Sequence, residues 1–253
     1  MLNMINRNSF AIRSTSLVLL LALSLVGTSS TMAKAQNKSI YTTKKHQITF
    51  EPPEGSRPEQ TVGGASRGEQ CPLDSMEQDL PLTPLLPTGS RSLTMESRPT
   101  FMVYVPETSA TSALLSIRDA NEDYDYQTMV SIGDRAGIVS VTVPNDAPAL
   151  DVNHEYEWSL ILLCDNKLRP DSPVAQGDIM RIADDSYLTA KLARANQLES
   201  AAIYADAGLW YDTLSSLAKL KSSNPKDVNI SANWESLLVS VGLADVAKAE
   251  FVE

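Results

Sequence analysis

Few residue groups in this chain have the types and spacing of a chemical site, and the acidic stretch 119–125 is the most suggestive. Four oxygen-bearing side chains occupy alternate positions there, as at the start of a calcium-binding loop: Asp119, Asn121, Asp123 and Asp125. Tyr124 stands where such a loop needs glycine, and Val130 stands where its bidentate glutamate belongs. A solvated acidic hairpin tip explains the same residues. Calcium is therefore an alternative, while the main prediction is that the chain has no metal site.

Histidine-based catalysis has one candidate centre, His154, which has Asp151 and Glu155 close in sequence. A serine-type hydrolase needs a nucleophile beside the histidine, but no G-x-S-x-G elbow is present, and His154 falls in a predicted turn. The glycines at 63 and 64 lack the lysine and helix of a phosphate-binding loop. We predict no catalytic residue and no cofactor. A carboxylate pair acting on polysaccharide stays open, because the sequence does not give the separation of its acids.

Two cysteines are present, Cys71 and Cys164. A catalytic or metal-binding cysteine needs partners such as a second close cysteine or nearby histidines, and only His46 and His154 exist. In an oxidising compartment two thiols allow one intramolecular pairing. The sequence therefore predicts a structural disulfide between Cys71 and Cys164.

The first 35 residues have the order of a secretory signal peptide. Arg7 and Arg13 provide a basic start, residues 17–26 form an apolar run, and residues 33–35 read Ala-Lys-Ala. The apolar run is far shorter than the roughly 20 residues of a membrane-spanning helix. We expect cleavage near Ala35-Gln36, export to the periplasm or beyond, and no integral membrane segment in the mature protein.

The mature chain would carry 18 basic and 31 acidic residues. A surface of this charge repels phosphate backbones and anionic lipid, so we expect no nucleic-acid partner. The remaining partner class is an unidentified envelope protein. The oligomeric state stays open.

Residues 36–99 predict a proline-rich extended arm. Eight of the fourteen prolines lie between Pro52 and Pro99, where they remove backbone donors and block helices. His46–Phe50 alternates like a short strand. We expect the arm to wrap over a core, tethered in its middle by Cys71.

Residues 100–184 predict an antiparallel β-sandwich of immunoglobulin or fibronectin type. Six segments rich in β-branched and aromatic residues follow one another at about ten-residue intervals: 100–105, 114–117, 126–132, 138–143, 156–164 and 174–182. The stretch 150–164 resembles a tyrosine corner, in which the Tyr156 hydroxyl bonds backward to the chain. Trp158 and Leu160 would then share its strand face.

Residues 185–253 predict a helical region. Apolar residues follow helical spacing from Ser186 to Leu220 with a break at Gly208, and a last helix is predicted over Asn233–Val241. Tyr204, Trp210, Leu217 and Pro225 stand around Gly208 with the spacings of a single tetratricopeptide-like hairpin. No second copy follows at a 34-residue period, so a repeat solenoid is excluded.

Four aromatic residues of the helical region provide the candidate contact surface: Tyr204, Trp210, Tyr211 and Trp234. Burial in the core between helices and sandwich is the alternative for these residues, and it is the reading that the sequence favours. The sequence as a whole indicates a non-catalytic, exported interaction or structural module. The alternative is a polysaccharide-acting hydrolase or a carbohydrate-binding protein.

Several short motifs are spread along the chain. They are Pro52-Pro53 with Gly55 and Pro58, Ser66-Arg67-Gly68 before Cys71-Pro72, Leu82–Pro87, Pro99-Thr100-Phe101 with Tyr104-Val105-Pro106, Tyr156–Ser159 with Cys164, Tyr204-Ala205 with Gly208–Asp212, and Leu237-Leu238 with Val241–Leu243. Together they resemble the exported cyanobacterial family catalogued as domain of unknown function 928, and the resemblance covers nearly the whole mature chain. It implies a cyanobacterial envelope or secreted protein and brings no activity, cofactor or catalytic residue.

Overall fold

The computed structural model describes residues 47–53, 70–74, 80–88, 92–121 and 123–252. The predicted signal peptide, residues 1–35, lies outside these ranges, as does His46. Residues 45–253 belong to one compact unit. Its described strands are β1 Thr83–Pro84, β2 Leu93–Thr94, β3 Thr100–Val105, β4 Ser112–Asp119, β5 Asp125–Ser131, β6 Gly137–Thr142, β7 Glu155–Leu162, β8 Val174–Arg181 and β9 Phe251–Val252.

These strands form two mixed sheets, one of four strands and one of five. The first sheet has the order β1-β3-β6-β9 and the second β2-β8-β7-β4-β5. The six strands predicted from alternating residues, β3 to β8, are confirmed with small shifts at their ends. The burial pattern explains why the sequence predicted these strands. In β7, for example, every second side chain is buried and its neighbours are at least partly exposed.

The prediction that all pairing is antiparallel is wrong at one edge of each sheet. Strand β2 pairs parallel to β8, and β9 pairs parallel to β6. Both edge strands have only two residues and reach their partners from distant parts of the chain. Parallel neighbours need such long connections, whereas antiparallel neighbours follow one another through short turns.

The backward hydrogen bond predicted for Tyr156 is confirmed. The Asp151 amide donates to the Tyr156 hydroxyl at 2.9 Å, and the side chain of Leu150 beside it is fully buried. Trp158 and Leu160 are buried on the same face of β7 as Tyr156. This bond fixes the turn that feeds β7 into the middle of the five-stranded sheet.

In the described part of the chain, four α-helices lie between β8 and β9: α1 Ser186–Leu192, α2 Gln197–Asp206, α3 Trp210–Ser223 and α4 Val228–Ser240. The break at Gly208 is confirmed, and this glycine adopts a φ of +73° that favours glycine over other residues. Gly208 also allows close packing, because a Cβ atom there would lie 2.6 Å from Cγ of Pro53.

The helical run from Ser186 is interrupted once more than predicted, between Leu192 and Gln197. Asn196 ends the interruption with a capping box, since its side chain accepts from the Glu199 amide while the Glu199 carboxylate accepts from the Asn196 amide. Helix α4 begins five residues before the predicted Asn233. Asp227 caps it by accepting from the amides of the second and third helical residues.

The predicted disulfide between Cys71 and Cys164 is present, and both cysteines are buried. It ties the proline-rich arm to the chain just after β7. In the chain-entropy model, closing a loop of this length stabilises the fold by roughly 4 to 5 kcal/mol.

One hydrophobic core joins the sheets and the helices. Phe101 of the first sheet lies with its ring centroid 4.8 Å from that of Trp158 in the second, and 5.7 Å from that of Tyr211 in α3. The helices therefore pack on the sheets through large aromatic side chains. Within the described ranges, no helix combines the length and apolar character that crossing a membrane requires.

Candidate functional site

The structure buries three of the four aromatic residues that formed the predicted contact surface. Trp210, Tyr211 and Trp234 have at most 2% of their surface exposed, whereas Tyr204 is partly exposed. The first two contact aromatic rings of other segments, and Trp234 packs on Phe251 at 5.2 Å. A contact surface made of these three rings is therefore wrong for this fold. Burial between helices and sheets, the alternative reading, describes them.

The first turn of α3, residues 210–212, bonds to both sheets and is called the WYD turn below. Trp210 donates from Nε1 to the Leu85 carbonyl, directly after β1, at 2.8 Å. The Tyr211 hydroxyl accepts from Trp158 Nε1 at 2.7 Å and donates to the Asp178 carbonyl at 3.0 Å. Because these polar atoms are already paired inside the core, they serve the attachment of the helices.

Asp212, the third residue of the WYD turn, is a buried carboxylate. Its carboxylate accepts hydrogen bonds from the Met95 amide, at 3.3 and 3.4 Å, and from the Thr94 side chain. These bonds hold the end of β2 against α3. Burial raises the pKa of Asp212 to about 7, helped by the negative charge of Glu96 and opposed by these hydrogen bonds. This acid therefore titrates near neutral pH.

The helical layer holds an extended piece of its own chain. Residues 47–53, called the N-terminal segment below, alternate in burial, with Ile48 and Phe50 buried and Gln47, Thr49 and Glu51 exposed. Phe50 places its ring centroid 5.0 Å from that of Trp210 in an edge-on arrangement. Pro53 lies against Gly208 at the turn between α2 and α3.

Two side chains of α4 bind the backbone of this segment. The Ile48 amide donates to Asn233 Oδ1 at 2.9 Å, and the Phe50 amide donates to Ser240 Oγ at 3.0 Å. No strand is assigned to this stretch, although its alternation predicted one, since helix side chains accept from its amides. The surface formed by Gly208, Trp210, Asn233 and Ser240 is called the helical groove.

Asn233 is pre-oriented for this contact. Its side chain is buried, and Nδ2 donates to the Asn229 carbonyl at 2.8 Å and to Asn229 Oδ1 at 3.2 Å. These bonds on the nitrogen side direct Oδ1 toward the Ile48 amide. The groove therefore binds an extended backbone in a manner typical of peptide recognition, with polar contacts to main chain and apolar contacts to alternate side chains.

A second candidate site, called the polar recess, lies at one end of the five-stranded sheet, where β4 ends and β7 begins. It has a volume of about 390 Å³ and brings together candidates from separate parts of the sequence: Asp119, Asn121, Asn153, His154 and Glu155. Asn153 adopts a φ of +62°, in the left-handed region. The recess thus joins the predicted calcium stretch with the predicted histidine centre, an association that their separation of more than 30 residues concealed.

The calcium candidates do not assemble into a ligand set in the described part of the chain. Asp119 is buried, and one of its carboxylate oxygens accepts from the Tyr124 amide at 3.2 Å, which closes the β4–β5 hairpin. Asn121 lines the recess, Asp123 is exposed in the turn, and Asp125 begins β5. Among the described residues, no three His, Cys, Asp or Glu side chains cluster as metal ligands.

Asn233, Ser240 and Asp212 were missed by sequence reasoning. Their roles depend on partners 185, 190 and 117 residues away in the chain. One available signal was polarity on the apolar face of a predicted helix. Asn233 stands directly beside Trp234 and four residues before Leu237, where a helix buries apolar side chains.

Fold and sites together define a class: a protein of two mixed sheets, pinned by one disulfide, whose C-terminal helices hold an extended segment. The chain belongs to the family described as Domain of Unknown Function (DUF928), whose model matches residues 62–251. No curated protein matches the chain. The match includes the helical groove and begins after the N-terminal segment.

Proposed function

We propose that this protein is an exported, non-catalytic binding module of the cell envelope, and that its helical layer is the binding part. The observation that carries the proposal is that α4 binds the backbone of the N-terminal segment through Asn233 and Ser240. Side chains that accept from main-chain amides bind by backbone shape, which is how peptide-binding proteins obtain affinity.

Export is supported by two independent features. Residues 1–35 have the order of a signal peptide. The bridge between Cys71 and Cys164 is of a kind that persists in oxidising compartments. Mass spectrometry of the protein from its native envelope fraction should find a chain that begins at Gln36, and a chain retaining residues 1–35 would contradict export.

The finer fold assignment is part of this proposal. The bond from the Asp151 amide to Tyr156 supports an immunoglobulin-like sandwich, in which a tyrosine corner opens a late strand. The turn at Gly208 between α2 and α3 supports a single tetratricopeptide-like hairpin. Both folds commonly present surfaces to protein partners, which is an analogy at the level of the fold.

A paired cross-linking experiment tests the binding role. A photo-reactive amino acid replaces Val239, which is 55% exposed on α4 beside Ser240, and in a control replaces Met129, which is 58% exposed on β5. The proposal expects discrete protein adducts in the native envelope from position 239 and far weaker ones from position 129. Absence of adducts at 239, or the same adducts at both positions, contradicts it.

The polar recess supports a second candidate, a carbohydrate-binding or polysaccharide-cleaving site. Asp119, Asn121, His154 and Glu155 offer the carboxylates, amide and imidazole that bind sugar hydroxyls, in a cavity of about 390 Å³. Binding to an array of envelope polysaccharides that is lost in H154A and retained in N233A favours this candidate. Reducing ends released by the native chain and absent with D119N would indicate cleavage.

A further inference from the structure

We propose that the N-terminal segment is an exchangeable arm, and that residues 47–53 of one copy fill the helical groove of a second copy. This rests on the proposed function, because it names the partner of the same groove. The partner is another molecule of this chain, which presents a sequence known to fit.

The contacts in the groove do not depend on the covalent link between the segment and the rest of the chain. They consist of two amide donors that meet Asn233 and Ser240, two buried side chains at alternate positions, and Pro53 against Gly208. All of them lie within seven residues of sequence. An identical segment from a second copy makes the same contacts.

The length of chain after the segment permits either origin. Sixteen residues separate Pro53 from Gln70, the next described residue, and Cys71 is then fixed by its disulfide. Sixteen residues reach on the order of 50 Å when extended. A connection of sixteen residues is long enough for the segment to reach a neighbouring molecule as well as its own.

Charge complementarity is compatible with a second copy as the source. Residues 36–53 carry three lysines and one acid, whereas residues 54–253 carry 15 basic and 30 acidic residues. A basic arm is attracted to the acidic body of another copy. The family match, which begins at residue 62, also separates the body that forms the groove from the arm that fills it.

Two complementary variants test the exchange. The acceptor variant, I48S/F50S, lacks the two buried apolar side chains of the N-terminal segment and keeps the helical groove intact. The donor, N233A/S240A, has an intact arm and lacks both acceptors in the groove. We expect each variant alone to be a monomer and their equimolar mixture to contain a one-to-one dimer, measured by light scattering after size exclusion. A quadruple variant that carries all four substitutions should form no dimer with either.

A labelled peptide of residues 45–53 gives a second readout by fluorescence anisotropy. It should bind the acceptor at least about tenfold more tightly than it binds the wild-type chain, because the wild-type arm competes from a high effective concentration. E235A is the matched control, since Glu235 is exposed on the same helix and is neither of the two groove acceptors. It should bind the peptide as the wild type does.

The outcomes separate the two proposals. A monomeric mixture with tight peptide binding overturns the exchange and leaves the binding role of the groove in place. Failure of the peptide to bind an acceptor that melts as a folded protein overturns the exchange, and the groove is then a structural clasp. The cross-linking at Val239 tests the envelope partner independently of either result.

Discussion

The WYD turn and the helical groove both attach the helices to distant parts of the chain, but they do so in opposite ways. In the WYD turn the helix contributes large aromatic side chains. Their polar atoms form hydrogen bonds with carbonyl groups and side chains of both sheets. In the groove the helix offers small polar side chains, and the distant segment provides its own amides. The first attachment joins the helices to the sheets, while the second joins the helices to a short extended segment.

The difference lies in what the separated parts would expose. Release of the WYD turn uncovers Trp158, Trp210 and Tyr211, three large side chains with at most 2% of their surface exposed, at a cost far above that of one hydrogen bond. Release of the N-terminal segment uncovers Ile48, Phe50 and part of Trp210. Each of these side chains contributes about 1.5 to 3 kcal/mol, so we expect the segment to detach before the rest of the molecule unfolds.

The largest expected effect is that of Trp210, which both attachments share. W210A should lower the free energy of unfolding by about 3 to 5 kcal/mol, because it opens a cavity in the core and leaves the Leu85 carbonyl without its donor. Urea titration followed by circular dichroism measures the change. W234F is the reference for W210F, since Trp234 Nε1 has no acceptor among the described residues. Equal losses in these two variants would contradict a role for the Leu85 bond.

The next effect concerns pH and isolates the WYD turn. Asp212 has a pKa of about 7 in the folded chain and near 3.8 when unfolded, so the folded state binds an extra proton between these values. Its contribution to stability is complete below pH 3.8 and is lost as pH rises to 7. The slope is at most about 1.4 kcal/mol for each pH unit.

D212N removes this titration and keeps an acceptor for the Met95 amide. Its free energy of unfolding should change less between pH 5 and 7 than that of the wild type, as measured by urea titration at each pH. D206N, at an exposed position at the end of α2, is the control and should follow the wild-type profile. Parallel profiles for D212N and the wild type would show that Asp212 titrates well below pH 7.

A smaller effect belongs to the groove alone. F50A should reduce stability by about 2 kcal/mol, lost locally, because only the N-terminal segment detaches. Amide exchange of Ile48 and Phe50 should then accelerate, while that of β7 stays at the wild-type rate. T49A, whose side chain is exposed, is the control. Faster exchange throughout β7 in F50A would make the segment part of the cooperative core.

The smallest effect is expected in the polar recess, which belongs to neither attachment. H154A should change the free energy of unfolding by no more than about 0.5 kcal/mol, because His154 is exposed. Thermal unfolding beside the wild type checks this value. A decrease in the free energy of unfolding above about 1 kcal/mol would indicate that His154 stabilises the fold. That result would argue against a sugar-binding role for the recess.

The central strands were predictable because a strand that is buried on one face alternates apolar and polar residues along the sequence. In β4 and β7 the buried side chains follow a period of two, and the predicted ranges differ from the observed ones by at most two residues at each end. The two-residue strands β2 and β9 carry no such pattern. Their pairing with β8 and β6 is decided by where a distant chain arrives.

The sites were less predictable than the fold. The sequence singled out Trp210 and Tyr211 as chemically distinctive, but it did not distinguish an aromatic contact surface from an aromatic core. The sequence does not indicate a binding role for Asn233 or Ser240 until the N-terminal segment is placed against them. The polarity of Asn233 on an apolar helix face was a local signal, but nothing local indicates a partner 185 or more residues away.

The separation between the N-terminal segment and its groove also sets an order of events during synthesis. Ile48 and Phe50 leave the ribosome early, while Asn233 and Ser240 follow 185 and 190 residues later, near the end of the chain. At roughly 5 to 20 residues per second, the arm waits on the order of 10 to 40 seconds before its own groove exists. During that interval Ile48 and Phe50 are apolar side chains without the groove that buries them.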